Sequence, residues 1–378
     1  MTDFNLLFLA GGFTCAVVLA MFLIPNILIV SYKRRLFDMP SERKVHSTPV
    51  SRLGGVSFFP VISVSFCLIV GIQLCIHSTF STLSAPSIPY SFLFLAIGSM
   101  LLYLVGVMDD LVGVSYRYKF LVQLISATIL TLSGTWLNTL GGLFGIWEIP
   151  AWAGIPLSIF IIIYITNAIN LIDGIDGLAS GLSSIALIAM CTMFILKQDY
   201  THALLSLTAL GVLLPFWVYN VFGYTRHRHK LFMGDTGSLT LGFIVSYLVI
   251  QLSTVHNGET AMDNRGLIIS FSALFIPLVD VIRVVLHRLI NGRSPFLPDR
   301  NHIHHKLLLT GLGPRAVLLT ILLLAIFFIA INTLLSTQLN ITVLAAVDAA
   351  VWLIFISATN HILRKKQQTT NAIQEQQL

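Results

Sequence analysis

The chain has 378 residues, 56% of them hydrophobic and only 10% charged, with a net charge of +6. Soluble proteins carry about 25% charged residues, and a soluble chain this apolar could not cover its own core with polar surface. Composition therefore excludes a soluble globular protein and points to an integral membrane protein. The four cysteines (Cys15, Cys67, Cys75 and Cys191) lie in apolar runs without CxxC or CxxH spacing and read as small buried hydrophobes.

A membrane-spanning helix needs about 20 mostly apolar residues. The first qualifying segment, 5–31, begins beside Asp3 and is followed by Lys33, Arg34 and Arg35, the flanks of a retained helix whose amino end lies outside. Ten more follow at 54–76, 91–108, 119–137, 151–168, 178–196, 202–220, 238–255, 266–287, 316–337 and 341–360, about eleven spans in all. All Lys and Arg except Lys197 and Arg265 then fall on one side. Basic loops mark the cytoplasm, so the amino terminus is expected outside and the carboxyl terminus inside. The positive charge faces an anionic lipid surface, not nucleic acid. No Pro/Gly linker or compositional break divides the chain: residues 1–366 read as one all-α domain, with a polar, disordered tail at 367–378.

The carboxylates gather on the same side. Asp38, Glu42, Asp109, Asp110, Asp173, Asp176, Asp235, Asp280 and Asp299 all fall at inner span ends or in inner loops. Carboxylates crowded at a low-dielectric boundary repel unless a cation neutralises them, and a hard divalent ion with oxygen ligands suits them. Asp109-Asp110 ends the third span; alone, such a pair reads better as a polar helix stop, and beside the other loops it points to function. After the fifth span, Asn167, Asn170, Asp173 and Asp176 recur every third residue, which keeps them near one face of a helix or 3₁₀ turn, and a Gly follows each Asp. A plain Asp-Gly turn does not account for that period. Gly234-Asp235-Thr236-Gly237-Ser238, preceded by Arg226, Arg228 and Lys230, offers a carboxylate and free N–H groups at a helix start, or an ordinary N-cap.

The fourth loop, Arg288 to Lys306, holds His302, His304 and His305 among basic residues. HxHH alone raises zinc, but no cysteine completes a tetrahedral site and the neighbouring Arg and Lys oppose a cation, so phosphate binding is the better reading. Lys44, His46 and Arg52 form a smaller basic cluster before Gly54-Gly55, which would let loop and helix pack closely. A transporter would instead place ionisable groups near the bilayer midplane. Only Asp280, Arg283 and Asp348 lie inside spans: the first two are three residues apart and can pair, whereas Asp348 has no evident partner.

Taken in order, Asp109-Asp110, Asn170 to Gly177, Met233 to Ser238 and Ser294 to His305 resemble the polyprenyl-phosphate N-acetylhexosamine-1-phosphate transferase family, glycosyltransferase family 4, along nearly the whole chain. His302-Ile303-His304-His305, in place of three consecutive histidines, is similar to the branch using UDP-N-acetylglucosamine and undecaprenyl phosphate, although the core motifs separate sugars poorly. The resemblance implies a multi-pass enzyme of the bacterial inner membrane with its site on the cytoplasmic face. It implies Mg²⁺ as cofactor (Mn²⁺ as a substitute), a UDP-sugar and a polyprenyl phosphate as substrates, and is compatible with a homodimer. Asp235 is then the metal ligand, and Asp109 orients or deprotonates the lipid phosphate with Asp110 in support. Asn170, Asp173 and Asp176 line the nucleotide pocket, and Arg288, His302, His304 and His305 hold the diphosphate, with Lys44 a further phosphate ligand.

Overall fold

The computed structural model describes residues 2–36, 50–80, 88–223, 229–254, 264–294 and 301–376. In chain order these form α1 (Thr2–Arg34), a 3₁₀ turn (Leu53–Ser57), α2 (Phe58–Phe80), α3 (Ser91–Val112), α4 (Tyr116–Leu132), an antiparallel hairpin of β1 (Thr139–Leu143) and β2 (Ile146–Glu148), and α5 (Ala151–Ile172). There follow α6 (Leu178–Leu196), α7 (Tyr200–Val221), α8 (Gly234–Ser253), α9 (Arg265–Ala273), α10 (Phe275–Ile290), α11 (Ile303–Leu309), α12 (Pro314–Leu335) and α13 (Ile341–Gln376). In hydrocarbon every backbone N–H and C=O must be satisfied within the protein, which is why the apolar segments fold as helices.

Among the described residues, nine helices are long and apolar enough to cross a membrane, or ten if the bent pair α9–α10 is one span. Nine of the eleven expected segments coincide with helices long and apolar enough to span; the other two fall on the short α4 and on the pair α9–α10. The difference comes from two places. α4 has only 17 residues, about 26 Å at 1.5 Å per residue, short of a typical hydrocarbon thickness. The expected span at 266–287 is broken by 62° between α9 and α10. Pro277 lies just past that break, and its missing N–H cannot continue the ladder to Ala273. The segment after Lys366 also departs from expectation: α13 continues helically to Gln376 through a stretch without Gly or Pro to stop it.

α8 is the axis of the bundle. Of its most apolar stretch, 94% is buried inside the protein, against 22% for α1 and α13. Gly237, Ser238, Thr240, Gly242 and Ser246 give α8 a slim profile, so α3 and α5 approach it closely, as small residues allow between membrane helices.

The two ends of the bundle carry different chemistry. At one end the carboxyl ends of α3 and α5 meet the amino end of α8, with the 3₁₀ turn packed between α1 and α8; there the Ser51 hydroxyl meets that of Ser31 at 3.0 Å, and Gly54 and Gly55 donate N–H bonds to the carbonyls of Phe232 (3.0 Å) and Met233 (2.8 Å). The Gly pair thus does bring loop and helix together. At the opposite end Asp199 accepts from His202 Nδ1 (2.6 Å), His202 Nε2 meets the Tyr247 hydroxyl (2.9 Å), and that hydroxyl meets Ser91 (2.9 Å). Asp348 is not an orphan: Asn332 Nδ2 donates to its Oδ2 at 2.7 Å and to the Ser272 hydroxyl at 2.7 Å, joining α9, α12 and α13.

Candidate active site

Asp110, in the last turn of α3, caps a helix that is not its own. Its Oδ1 accepts from the Asp235 N–H (2.9 Å), and its Oδ2 accepts from the N–H (2.9 Å) and hydroxyl (2.6 Å) of Thr236. The first N–H groups of a helix have no intrahelical partner, and a carboxylate there satisfies them and complements the helix dipole. Gly234 makes this approach possible: it has φ +70°, and a Cβ there would lie 2.2 Å from the Arg52 carbonyl oxygen and 2.5 Å from Asp110 Oδ2.

This cap delivers Asp235 to Asp109. One oxygen from each of Asp109, Asp110 and Asp235 lies within 4.8 Å of the others, and among the described residues no other three His, Cys, Asp or Glu side chains come together in this way. Asp109 Oδ1 accepts from the Val114 N–H (2.7 Å). Lys119, on α4, places its ammonium 2.7 Å from Asp235 Oδ2 and 3.2 Å from Asp109 Oδ2. A cation already sits between two of the three carboxylates, so the donor set suits a positive ion. It is all oxygen, the chemistry a hard divalent ion takes, whereas the histidines form no cluster of that kind. With Asp110 engaged by the α8 amino end, Asp235 and Asp109 are the groups that could hold Mg²⁺.

The loop after α5 forms the second wall. Asn170, still helical, donates to the Ser238 hydroxyl (2.8 Å), and its amide also reaches Asp235. Asp173 is the residue that ends α5. Burial, and then the charges of Asp235, Asp176 and Asp110, push its carboxyl up to about 7, against an opposing pull from Arg52. Asp176 forms an ion pair with Lys230. Asn220 ties this loop to the next, accepting from the Gly177 N–H (2.6 Å) and donating to the Leu231 carbonyl (2.8 Å). Asn167, the first of the periodic polar residues, turns instead to Gln123 of α4. Beside the Asp176–Lys230 pair lies an open cavity of about 470 Å³ whose lining includes Phe222, Pro314 and Arg315.

The histidine segment is organised by Asp280. His302 Nδ1 lies 2.8 Å from its Oδ2, the Ile303 N–H donates to both oxygens (3.1 and 3.2 Å), and Arg283 donates to Oδ1 from Nη2 (2.7 Å) and Nε (3.2 Å). Arg283 also reaches the Asn301 carbonyl. From the far side α13 clamps α11: Lys306 donates to Asn360 (3.0 Å) and Lys366 to the Leu309 carbonyl (3.2 Å).

His304 lies buried against the second loop, where a Cβ on Gly174 would come within 2.1 Å of its Nε2. Its two ring nitrogens have no hydrogen-bond partner among the described residues. Burial first, then the neighbouring His305 and His302, hold it far below the usual imidazole range, at about 3. Held neutral and buried, the ring packs the histidine helix onto the Asp173–Asp176 loop. His305 stacks on it with centroids 4.2 Å apart. Arg288 is buried in the last turn of α10.

The structure thus brings together Asp109, Asp110, Asn170, Asp173, Asp176 and Asp235, seats His304 of α11 against Gly174 in the second loop, and holds His302, just ahead of α11, on Asp280. Lys44, Arg226, Arg228 and Asp299 lie outside the described residues. The sequence reading missed Lys119, counted only as a cytoplasmic charge, and Asn220, for which no sequence signal exists. It read Asp280 as one of the inner-side carboxylates and a partner for Arg283, not as the anchor of the histidine segment.

These features define a multi-pass helical membrane protein with a cation-ready carboxylate centre at one end of its bundle. Residues 92–253 match the family model described as glycosyl transferase family 4. The chain is 32% identical over 298 residues to an undecaprenyl-phosphate alpha-N-acetylglucosaminyl 1-phosphate transferase of Yersinia pestis, covering 78% of this chain and 76% of that one. It is 30% identical over 354 residues to a probable undecaprenyl-phosphate N-acetylglucosaminyl 1-phosphate transferase of Bacillus subtilis, covering 93% and 89%. A Salmonella typhimurium enzyme with the same name as the Yersinia protein is 32% identical over 318 residues, covering 82% and 80%. The chain belongs to glycosyl transferase family 4.

Proposed function

We propose that this protein transfers N-acetylglucosamine-1-phosphate from UDP-N-acetylglucosamine to undecaprenyl phosphate, giving undecaprenyl-diphospho-N-acetylglucosamine and UMP. This would be the initiating step of a cell-surface polysaccharide at the cytoplasmic face of a bacterial inner membrane. The observation that carries the reading is the convergence of Asp109, Asp110 and Asp235 within 4.8 Å, in a chain whose relatives bear the name of that activity. The sidedness is supported by Lys33 and Arg34, which end α1 where the site lies, while Lys197 and Arg265 flank helix ends at the other side. With α4 and the bent α9–α10 counted as spans, the chain crosses eleven times, amino terminus outside.

In the reaction a lipid-phosphate oxygen bonds to the sugar-bearing β-phosphorus, and the bond from that phosphorus to the bridging oxygen breaks, its electron pair leaving on UMP. A phosphate monoester is largely dianionic at neutral pH because its second pKa is near 6, so base catalysis adds little and Asp109 serves chiefly to orient it. Asp235 and Asp109 would hold Mg²⁺, or Mn²⁺ in its stead, which would supply charge neutralisation to the diphosphate. Asp280 fixes the His302 ring through Nδ1, which leaves Nε2 as the nitrogen turned to substrate. Asn170, Asp173 and Asp176 line the nucleotide side, where the cavity beside Asp176 has the volume of a small-ligand pocket.

The test is purified protein with Mg²⁺, undecaprenyl phosphate and a panel of radiolabelled UDP-sugars. N-acetylglucosamine label should enter lipid with equimolar UMP, and Asp235→Ala should lower the rate by roughly 10³-fold. Near wild-type, Mg²⁺-dependent UMP release by that variant would overturn the metal assignment, and absence of label from the lipid would overturn the reaction.

A further inference from the structure

Three carboxylates on two helices should fly apart when nothing positive lies between them. Here Asp109 and Asp235 are held by the ammonium of Lys119, 3.2 and 2.7 Å away, carried in from a third helix. Asp110 stays locked in the α8 cap, so the pair that Lys119 grips is the pair left to bind a divalent ion. An ion held by both carboxylates sits about 2.0–2.1 Å from each oxygen it binds. The space between Asp109 and Asp235 then has to hold either that ion or the ammonium, because two like charges at such separation, partly desolvated, repel strongly.

We propose that Lys119 is a resident counter-cation of this centre: it neutralises Asp109 and Asp235 while the divalent site is unfilled, and divalent-ion binding expels it. This rests on the reading of these carboxylates as a metal site. The side chain is suited to the exchange. Lysine ends a flexible four-carbon stem with a compact point charge, so the ammonium can leave by rotating its own torsions while α4 stays in place. The Asp109–Val114 bond and the Asp110 cap keep the carboxylates positioned during the exchange. Divalent affinity is accordingly lowered by the competition, which keeps the site from trapping its ion and tunes it to exchange.

Two measurements decide it. Mn²⁺ binding, followed by electron paramagnetic resonance on purified protein in nanodiscs, should be roughly tenfold tighter in Lys119→Met than in wild type, and near wild type in Lys119→Arg, which keeps a competing cation. In wild-type protein, acetylation of Lys119 by a trace of acetic anhydride, read by peptide mass spectrometry, should rise several-fold when Mg²⁺ is added. This second measurement needs no variant and stands if Lys119→Met does not fold. Unchanged or weaker Mn²⁺ binding in Lys119→Met, or Mg²⁺-insensitive acetylation in a wild-type protein that binds Mn²⁺, overturns the proposal while leaving the metal reading intact. A wild-type protein that binds no Mn²⁺ overturns both.

Discussion

His302 Nδ1 and Asp280 Oδ2 lie 2.8 Å apart across the joint between α10 and α11, and this bond fixes which nitrogen of the histidine is available. A carboxylate can only accept, so Nδ1 carries the proton and Nε2 is left for substrate. The same carboxylate receives the Ile303 N–H and the Arg283 guanidinium, so one buried group sets the ring, the start of α11 and the neighbouring charge. Asp280→Asn leaves both Arg283 and His302 Nδ1 facing a neutral amide. The turnover number should fall roughly 10²-fold while KM for UDP-sugar changes less, and the protein should lose about 1–3 kcal/mol of stability. Steady-state UMP release with a thermal melt checks both; equal loss in kcat and His302→Phe-like insensitivity of the double variant would mark Asp280 as acting through His302.

How much of this was legible beforehand follows from what sequence can encode. Spans are legible because bilayer thickness imposes a length and hydrocarbon imposes a composition, and every expected segment except the broken 266–287 falls on one helix. The Asp109-Asp110, Asn170–Asp176 and Asp235 motifs are legible because each puts charge where apolar sequence stops. The pairing partners are not. Lys119 reaches Asp235 across 116 positions, and Asp110 caps a helix that starts more than 120 residues later, contacts that leave no local period or motif. Likewise His302, His304 and His305 read as one group in sequence, yet helical geometry sends them to different tasks: His302 to Asp280 and His304 to Gly174.

Asp173 gives the site a pH dependence of definite sign. Its folded pKa is raised to about 7, chiefly by burial and then by Asp235, Asp176 and Asp110. A carboxyl raised in the folded state contributes stability that is fully present below its unfolded value near 3.9 and is lost as pH rises through about 7. Metal-free protein should therefore melt at lower temperature at pH 8 than at pH 6. A divalent ion nearby favours the carboxylate, so saturating Mg²⁺ should shrink or reverse that difference, and Mg²⁺ affinity should increase between pH 6 and 8. Asp173→Asn should flatten both trends. Melts with and without Mg²⁺ across this range are the check, and a pH-independent difference in the Asn variant's favour would reject the assignment.

Gly174 and His304 should behave as a coupled pair. A methyl group at 174 would lie 2.1 Å from the buried Nε2 of His304, too close for either to remain in place. Gly174→Ala is expected to cost about 1–3 kcal/mol, as overpacking does, and to depress turnover by shifting the Asp173–Asp176 loop. His304→Ala removes the obstacle at the expense of a cavity. The double variant should recover part of the Gly174→Ala loss, a coupling of at least about 0.5–1 kcal/mol in a double-mutant cycle. Additive losses would show that the two residues do not share the contact.

Asp348 should matter for the fold but not for the chemistry. It is buried near the start of α13 and takes one hydrogen bond from Asn332, and its Oδ1, like the side-chain Oδ1 of Asn332, has no partner among the described residues. Two unpaired acceptors in an apolar surround are costly, each by about 1–3 kcal/mol in protein interiors. Asp348→Asn keeps the shape, brings an N–H₂ group to a place short of donors, and removes a buried acid. Its melting temperature should match or exceed wild type by a few degrees, with UMP release within about twofold, since the hydrogen bonds of Asp348 and Asn332 tie α13 to α12 and α9 and not to the carboxylate centre. A loss of activity without a loss of stability would instead make the Ser272–Asn332–Asp348 chain part of the working machinery, and that outcome is read directly from a melt and an assay on the same preparation.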